Sequence, residues 1–143
     1  MDTIIYLDDD KANLSAFYAS YRQDFDIHCF EDPNEAYEFI KENDVKVVIS
    51  DQRMPDISGV EFLKSVQKID QEPMRILMTA YDEIGDIKAA INEGQIYYYV
   101  QKPFEHEEMK LLLKRAIGAY DLKKGNQDLR YKKEKKKKYN KNH

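Results

Sequence analysis

Residues 45–55, VKVVISDQRMP, decide how this chain folds. Val45, Val47, Val48 and Ile49 form a short β-branched run, the composition of a strand buried on both faces. The run stops at Ser50 and Asp51, and Pro55 forbids an immediate helix. Asp51 is therefore expected where a buried strand emerges at its carboxyl end, the edge at which open α/β sheets bind ligands. A lone aspartate there is equally an ordinary turn residue that satisfies local N–H groups. What the other strands bring to the same edge separates the two readings.

Upstream, Thr3 to Leu7 (TIIYL) is a short apolar run that ends in Asp8, Asp9 and Asp10. Lys11 to Tyr21 carries Leu14, Phe17, Tyr18 and Tyr21 at helical spacing. Phe25 to Phe30 alternates Phe25, Ile27 and Cys29 against Asp26, His28 and Phe30, and reads as a strand nearer a sheet edge. Asp32-Pro33-Asn34-Glu35 starts a helix, with Pro33 where a helix tolerates it. Ala36, Phe39 and Ile40 supply its apolar face.

Downstream, Ser58 and Glu61 have the spacing of a capping box, and Val60, Phe62, Leu63 and Val66 form the buried side of the helix that follows. Arg75 to Thr79 is a strand ending in a hydroxyl. Glu83 to Asn92 is helical, with Ile84, Ile87, Ala90 and Ile91 inward and Gly94 as its stop. Ile96 to Val100 (IYYYV) is a fifth strand, followed by Gln101, Lys102, Pro103 and Phe104. A last helix runs from Glu105 through Leu111, Leu112, Leu113, Ala116 and Tyr120. Strand and helix alternate five times, which predicts a parallel sheet with right-handed crossovers and helices on both faces.

The chain's 143 residues suit one domain. No apolar run reaches the length of a membrane span. The N-terminus lacks a basic segment before its acids, so no secretory leader is expected. Cys29 is the only cysteine, which excludes an internal disulfide and argues against a zinc cluster. A cytoplasmic protein is expected. The net charge of −4 hides a split, since residues 1–121 carry −12 and residues 122–143 carry +8. The chain is therefore divided into a domain over 1–121 and a basic extension over 122–143.

Leu122 and Leu129 are seven apart, while Gly118 and Gly125 each cost a helix about 1 kcal/mol relative to alanine. The extension either prolongs the last helix as a coiled-coil linker or frays into a solvated tail. Lys132 to Lys138 (KKEKKKK) could attract nucleic acid or anionic lipid. With no folded reader beside it, nucleic-acid binding by this chain alone is not expected.

The strands that could lie centrally end in Asp8 and Asp9, Asp51, Thr79 and Lys102. A parallel sheet brings these groups to one edge. Crowded carboxylates repel and resist ionisation unless a cation joins them. Oxygen-only ligands favour a hard ion such as Mg²⁺, which pairs readily with phosphate oxygens. Lys102 and Thr79 also suit phosphoryl oxygens. This describes an aspartate nucleophile that takes a phosphoryl group with metal assistance. Polar groups commonly end strands, so no single residue decides; the set does.

LDDD at 7–10, SDQRMPDISGVEFL at 50–63, MTAY at 78–81 and QKPF at 101–104 resemble, in order, the receiver domain of two-component response regulators, over about residues 3–120. The resemblance implies a flavodoxin-like, doubly wound five-stranded parallel sheet of order 2-1-3-4-5, with the site where strands one and three diverge. It implies that Asp51 is the phosphoacceptor. Asp9, Asp51 and the backbone carbonyl of Arg53 would bind Mg²⁺ directly, and Asp8 through water. Lys102 would contact the acyl phosphate, with Lys102–Pro103 cis. Thr79 would bond the phosphoryl group, next to a small Ala80. Tyr99 would be the switch aromatic; Tyr97 shares its face, so only position relative to Lys102 selects it.

The phosphodonor would be a sensor histidine kinase or phosphotransfer protein. The switching face would comprise the Glu83 helix, the Ile96 strand and the last helix, serving partner binding or homodimerisation. Enzymatic action would be limited to the chain's own phosphorylation and hydrolysis. Arg53 and Tyr81, both large, would obstruct the hydrolytic water. The rival reading is a Mg²⁺-dependent aspartyl phosphatase or phosphotransferase acting on a small metabolite, with Asp10, two residues beyond Asp8, as general acid. Against it, these residues include no cap segment to enclose a substrate. A receiver that works without phosphorylation is a third reading, opposed by the complete pocket set.

Overall fold

The computed structural model describes residues 1–80, 84–93 and 95–141. Its elements run β1 (Thr3–Leu7), α1 (Lys11–Tyr21), β2 (Asp26–Phe30), α2 (Pro33–Glu42), β3 (Val47–Asp51), α3 (Gly59–Ile69), β4 (Met74–Thr79), α4 (Ile84–Asn92), β5 (Tyr98–Gln101) and α5 (His106–Lys141). The sheet order is β2-β1-β3-β4-β5, and the four pairings are all parallel. The expected 2-1-3-4-5 order is the one observed.

Period-2 alternation sorts the strand residues onto two faces. Ile4, Tyr6, Val47, Ile49, Ile76, Met78 and Val100 pack with Leu14, Phe17 and Tyr21 of α1 and with Met109, Leu113 and Ala116 of α5. Ile5, Leu7, Val48 and Leu77 pack with Ala36 and Ile40 of α2, Phe62, Leu63 and Val66 of α3, and Ile87 and Ala90 of α4. β3 lies centrally, and all five of its residues are buried. The helix starts follow their caps. Asp32 accepts the Asn34 N–H at 2.9 Å, and Ser58 accepts the Glu61 N–H at 3.1 Å.

Several boundaries and placements differ from expectation. β3 does not stop before Ser50: it continues through Asp51, which pairs with Met78. β5 begins at Tyr98 rather than Ile96 and takes in Gln101, because its ladder with β4 starts at Ile76. Tyr18 lies off the buried stripe of α1 and is 44% exposed. Val60 is half-buried, while Gly59 is buried. A Cβ at Gly59 would lie 2.4 Å from the Asp51 carbonyl oxygen and 2.5 Å from Leu77 Cδ1, so only glycine lets α3 start this close to the end of β3. The expectations for Tyr81, Glu83, Gly94 and the Ile84 side chain lie outside the described residues.

Residue 122 marks a change of charge but no break in structure, since α5 continues to Lys141. Of the two readings of the extension, the chain takes the prolonged helix. Gly118 and Gly125 lie within it, and beyond the helix's own backbone and adjacent residues nothing described stands within 4 Å of where a Cβ would be. Leu122 and Leu129 are 68% and 61% exposed. Among the described residues, no helix is long and apolar enough to cross a membrane.

The amino edge of the sheet is closely tied. Lys46 Nζ pairs with Asp2 at 2.8 Å and Asp121 at 2.7 Å. Arg75 donates to the carbonyls of Gln95 at 2.8 Å, Pro73 at 3.1 Å and Gln71 at 3.3 Å. From α5, Lys123 donates to the Gln71 carbonyl at 3.3 Å and Lys124 pairs with Glu72 at 3.7 Å.

Candidate functional site

At the opposite edge, Asp8 and Asp9 follow β1, Asp51 ends β3 and Thr79 ends β4, while Lys102 follows β5. Carboxylate oxygens of Asp8, Asp9 and Asp51 all lie within 4.8 Å of one another. Asp8 is 1% exposed and Asp51 7%, whereas Asp9 is open to solvent. Two of the three negative groups are thus largely withdrawn from water, where mutual repulsion is weakly screened. Lys102 Nζ forms an ion pair with Asp51 Oδ1. That pair engages one of the three carboxylates. Oxygen-only donors, partly buried and open on the Asp9 side, fit a hard cation that keeps several waters.

Backbone bonds fix the frame. The Lys102 N–H bonds the Thr79 carbonyl at 2.9 Å, and Lys102–Pro103 is cis, as expected. Thr79 is fully buried, and its hydroxyl donates to the Ala80 carbonyl at 3.1 Å. The Gln52 N–H bonds the Met78 carbonyl at 2.9 Å, and its own carbonyl accepts the Gly59 N–H at 3.0 Å. Gln52 Oε1 accepts the Val60 N–H at 3.0 Å. The loop between them, which carries exposed Arg53, is therefore pinned at both ends beside Asp51.

Tyr99 stands two residues before Gln101, the register partner of Thr79. It is half-buried and packs on the α2-α3-α4 side of the sheet, against the cluster containing Leu77 and Ile87. Tyr97 and Tyr98 are 42% and 54% exposed.

Asp8 accepts three hydrogen bonds. Its Oδ2 accepts the Tyr6 hydroxyl at 2.5 Å and the Asn13 side-chain amide at 3.1 Å, and its Oδ1 accepts the Asp10 N–H at 2.9 Å. Burial first, and the bond to Asp8 second, push the Tyr6 hydroxyl far above its ordinary pKa, so it remains a donor. The Asp10 side chain instead caps α1, accepting the Ala12 N–H at 2.8 Å and the Asn13 N–H at 3.4 Å. An aspartate spent on a cap is poorly placed as a general acid, which weakens the metabolite-phosphatase reading.

Tyr6, Asn13 and Gly59 were not singled out from the sequence. Tyr6 carried a usable signal: it lies two residues before Asp8 and so shares its face of β1. Asn13 carried none, because a helix-face asparagine declares no partner.

The family model for the response regulator receiver domain matches residues 4–114. The chain is 34% identical over 122 residues to the hydrogenase transcriptional regulatory protein HoxA of Bradyrhizobium diazoefficiens, covering 85% of this chain and 25% of that protein. It is similar to a crystal structure described as adenylate cyclase from Rhodopirellula baltica, with 27% identity, TM-score 0.86, and coverage of 90% of this chain and 96% of that one. A response regulator receiver domain protein from Clostridium thermocellum shares its fold at 23% identity and TM-score 0.79, covering 85% and 98%. The chain spans about a quarter of the length of the curated relatives it matches.

Proposed function

This chain belongs to the response regulator receiver domain family, and from that premise we propose that it takes a phosphoryl group on Asp51. The observation that carries this reading is the meeting of Asp8, Asp9 and Asp51 within 4.8 Å, with Lys102 paired to Asp51. Asp9 and Asp51, with the Arg53 carbonyl, would hold Mg²⁺ directly, and Asp8 through water. The cation, when bound, neutralises the crowded carboxylates and the charge that develops on phosphoryl oxygens.

The chain's own residues do the rest. An Asp51 oxygen forms a bond to phosphorus while the bond to the donor's leaving group breaks, and the electron pair departs with that group. Lys102 already sits on Asp51, and it supplies positive charge to the oxygens of the arriving phosphoryl group. Thr79, anchored through its carbonyl to the Lys102 N–H, turns its hydroxyl from Ala80 toward the new acceptor. Tyr99 packs on the same side as α4, so a movement at Thr79 alters the surface of α4, β5 and α5.

The phosphodonor is a histidine kinase or phosphotransfer protein, and the switched face serves a partner or a second copy of the chain. We place the receiver over residues 1–121 in the cytoplasm, with 122–143 as its basic extension. Its enzymatic activity is confined to its own phosphorylation and hydrolysis.

Incubation with Mg²⁺ and a small phosphodonor should add one alkali-labile phosphate, read by intact mass. Asp51→Asn should retain the fold and show no increment. Continued labelling of that variant would overturn the assignment.

A further inference from the structure

The bonding of Asp8 bears on which cation the site accepts. A carboxylate offers about four acceptor sites. Tyr6 and Asn13 occupy Oδ2, and the Asp10 N–H occupies part of Oδ1, which leaves one site on Oδ1. The two donors to Oδ2 arrive from different elements, Tyr6 from β1 and Asn13 from α1. The Tyr6 ring is held in the core, 2% exposed, against Phe17 with centroids 4.6 Å apart. The Asp8 carboxylate is thus clamped from strand and helix, and it cannot turn without breaking both bonds. Both clamping donors are neutral, so the clamp fixes geometry and leaves the charge of the cluster unchanged.

We propose that Tyr6 and Asn13 are positioning residues that keep Asp8 out of direct coordination, with one acceptor site for one metal-bound water, and so make the site select Mg²⁺ over Ca²⁺. The inference rests on the reading of Asp9 and Asp51 as cation ligands. Mg²⁺ demands octahedral geometry and keeps several waters, while Ca²⁺ takes six to eight oxygens and accepts bidentate carboxylates. A carboxylate limited to one outward lone pair serves the first ion. Released, it could rotate and close on the second with both oxygens. Selection comes from denying the larger ion a ligand it would use.

The test is calorimetric titration of the full chain with MgCl₂ and, separately, CaCl₂. Tyr6→Phe keeps the ring in the core and removes only the hydroxyl. It should lower the ratio of Mg²⁺ to Ca²⁺ affinity about tenfold, the scale on which outer partners act on metal sites, with Mg²⁺ weakened and Ca²⁺ strengthened. Asn13→Ala, at an exposed position, should move the ratio in the same direction by less, and it decides the matter if Tyr6→Phe folds poorly. An unchanged ratio, or equal weakening of both ions, overturns the proposal. Failure of the unsubstituted chain to bind Mg²⁺, or retention of binding in Asp9→Ala, would instead overturn the site reading on which it rests.

Discussion

The two ends of the same strands are built on opposite terms. At the amino edge, Lys46 has two carboxylates, and Arg75 has three carbonyls. Each cation there meets acceptors supplied by the chain at fixed positions. At the carboxyl edge, three acids converge, and Lys102 pairs with one of them, Asp51. One edge ties cations to the backbone and to scattered acids, and the other gathers acids at one point. A parallel sheet makes this division available, because every strand starts at one edge and finishes at the other.

Four substitutions test the division, taken by their effect on stability. Arg75→Met should cost most, about 3 kcal/mol, because it takes the guanidinium from the Gln95 and Pro73 carbonyls and leaves that of Gln71 to Lys123 alone. Urea denaturation should show the loss, while Mg²⁺ affinity stays unchanged. A change in Mg²⁺ affinity of comparable size would erase the distinction between the edges. Gly59→Ala should cost about 2 kcal/mol, since its Cβ must displace the Asp51 carbonyl or Leu77. Here the Mg²⁺ affinity should fall as well, because the displaced backbone belongs to Asp51.

Asp9→Ala should leave the metal-free melting temperature level or slightly raised, because removing one of three mutually repelling acids relieves strain. The rise in melting temperature that Mg²⁺ gives the unsubstituted chain should vanish. Persistence of that rise would show that the cation binds elsewhere.

The smallest effect belongs to Asp26, at the start of β2. Hydrogen bonds from His28 first, and then from Thr3, hold its carboxyl below the usual carboxylate pKa. A depressed folded pKa contributes stability above the unfolded value, near 4, and loses it as pH falls through the lower folded value. His28→Ala should therefore cost a little stability at every pH above about 4, pH 8 included, and none below the folded value, so that the loss of stability through that window becomes shallower. Urea midpoints across the range would show it. A loss of the same size below that window would contradict the assignment.

The buried parts of the molecule were the legible parts. VKVVISD and TIIYL announce strands because a β-branched run flanked by acids has few other uses, and Asp51, Asp8, Asp9, Thr79 and Lys102 are read from where those runs stop. IYYYV was legible as a strand but not in its limits. Three tyrosines suit a strand equally at every position, and the ladder partner Ile76 sets the start. The length of α5 was hidden for a different reason: Gly118, Gly125 and a lysine run weigh against helix locally. Tyr6 escaped notice because its aromatic ring reads as core while its hydroxyl serves the site. The amino-edge ties were out of reach, since Arg75 bonds to backbone carbonyls, which no side-chain pattern records.

The length of α5 has a mechanical consequence. Its 36 residues make a rod about 54 Å long. The rod is held beside the site by Tyr21, whose ring stacks on His106 at 4.7 Å and whose hydroxyl bonds the His106 carbonyl at 3.1 Å. It is held again at Asp121, Lys123 and Lys124 by the amino edge. The second hold lies near the rod's midpoint, about 25 Å from either end. Between the two holds the rod is seated on the core through Met109, Leu113, Ala116 and Ile117. That half moves only with the core, and it carries the rest of the rod as a hull carries a mast. A small tilt of the seated half grows toward Lys141 in proportion to the length beyond the second hold.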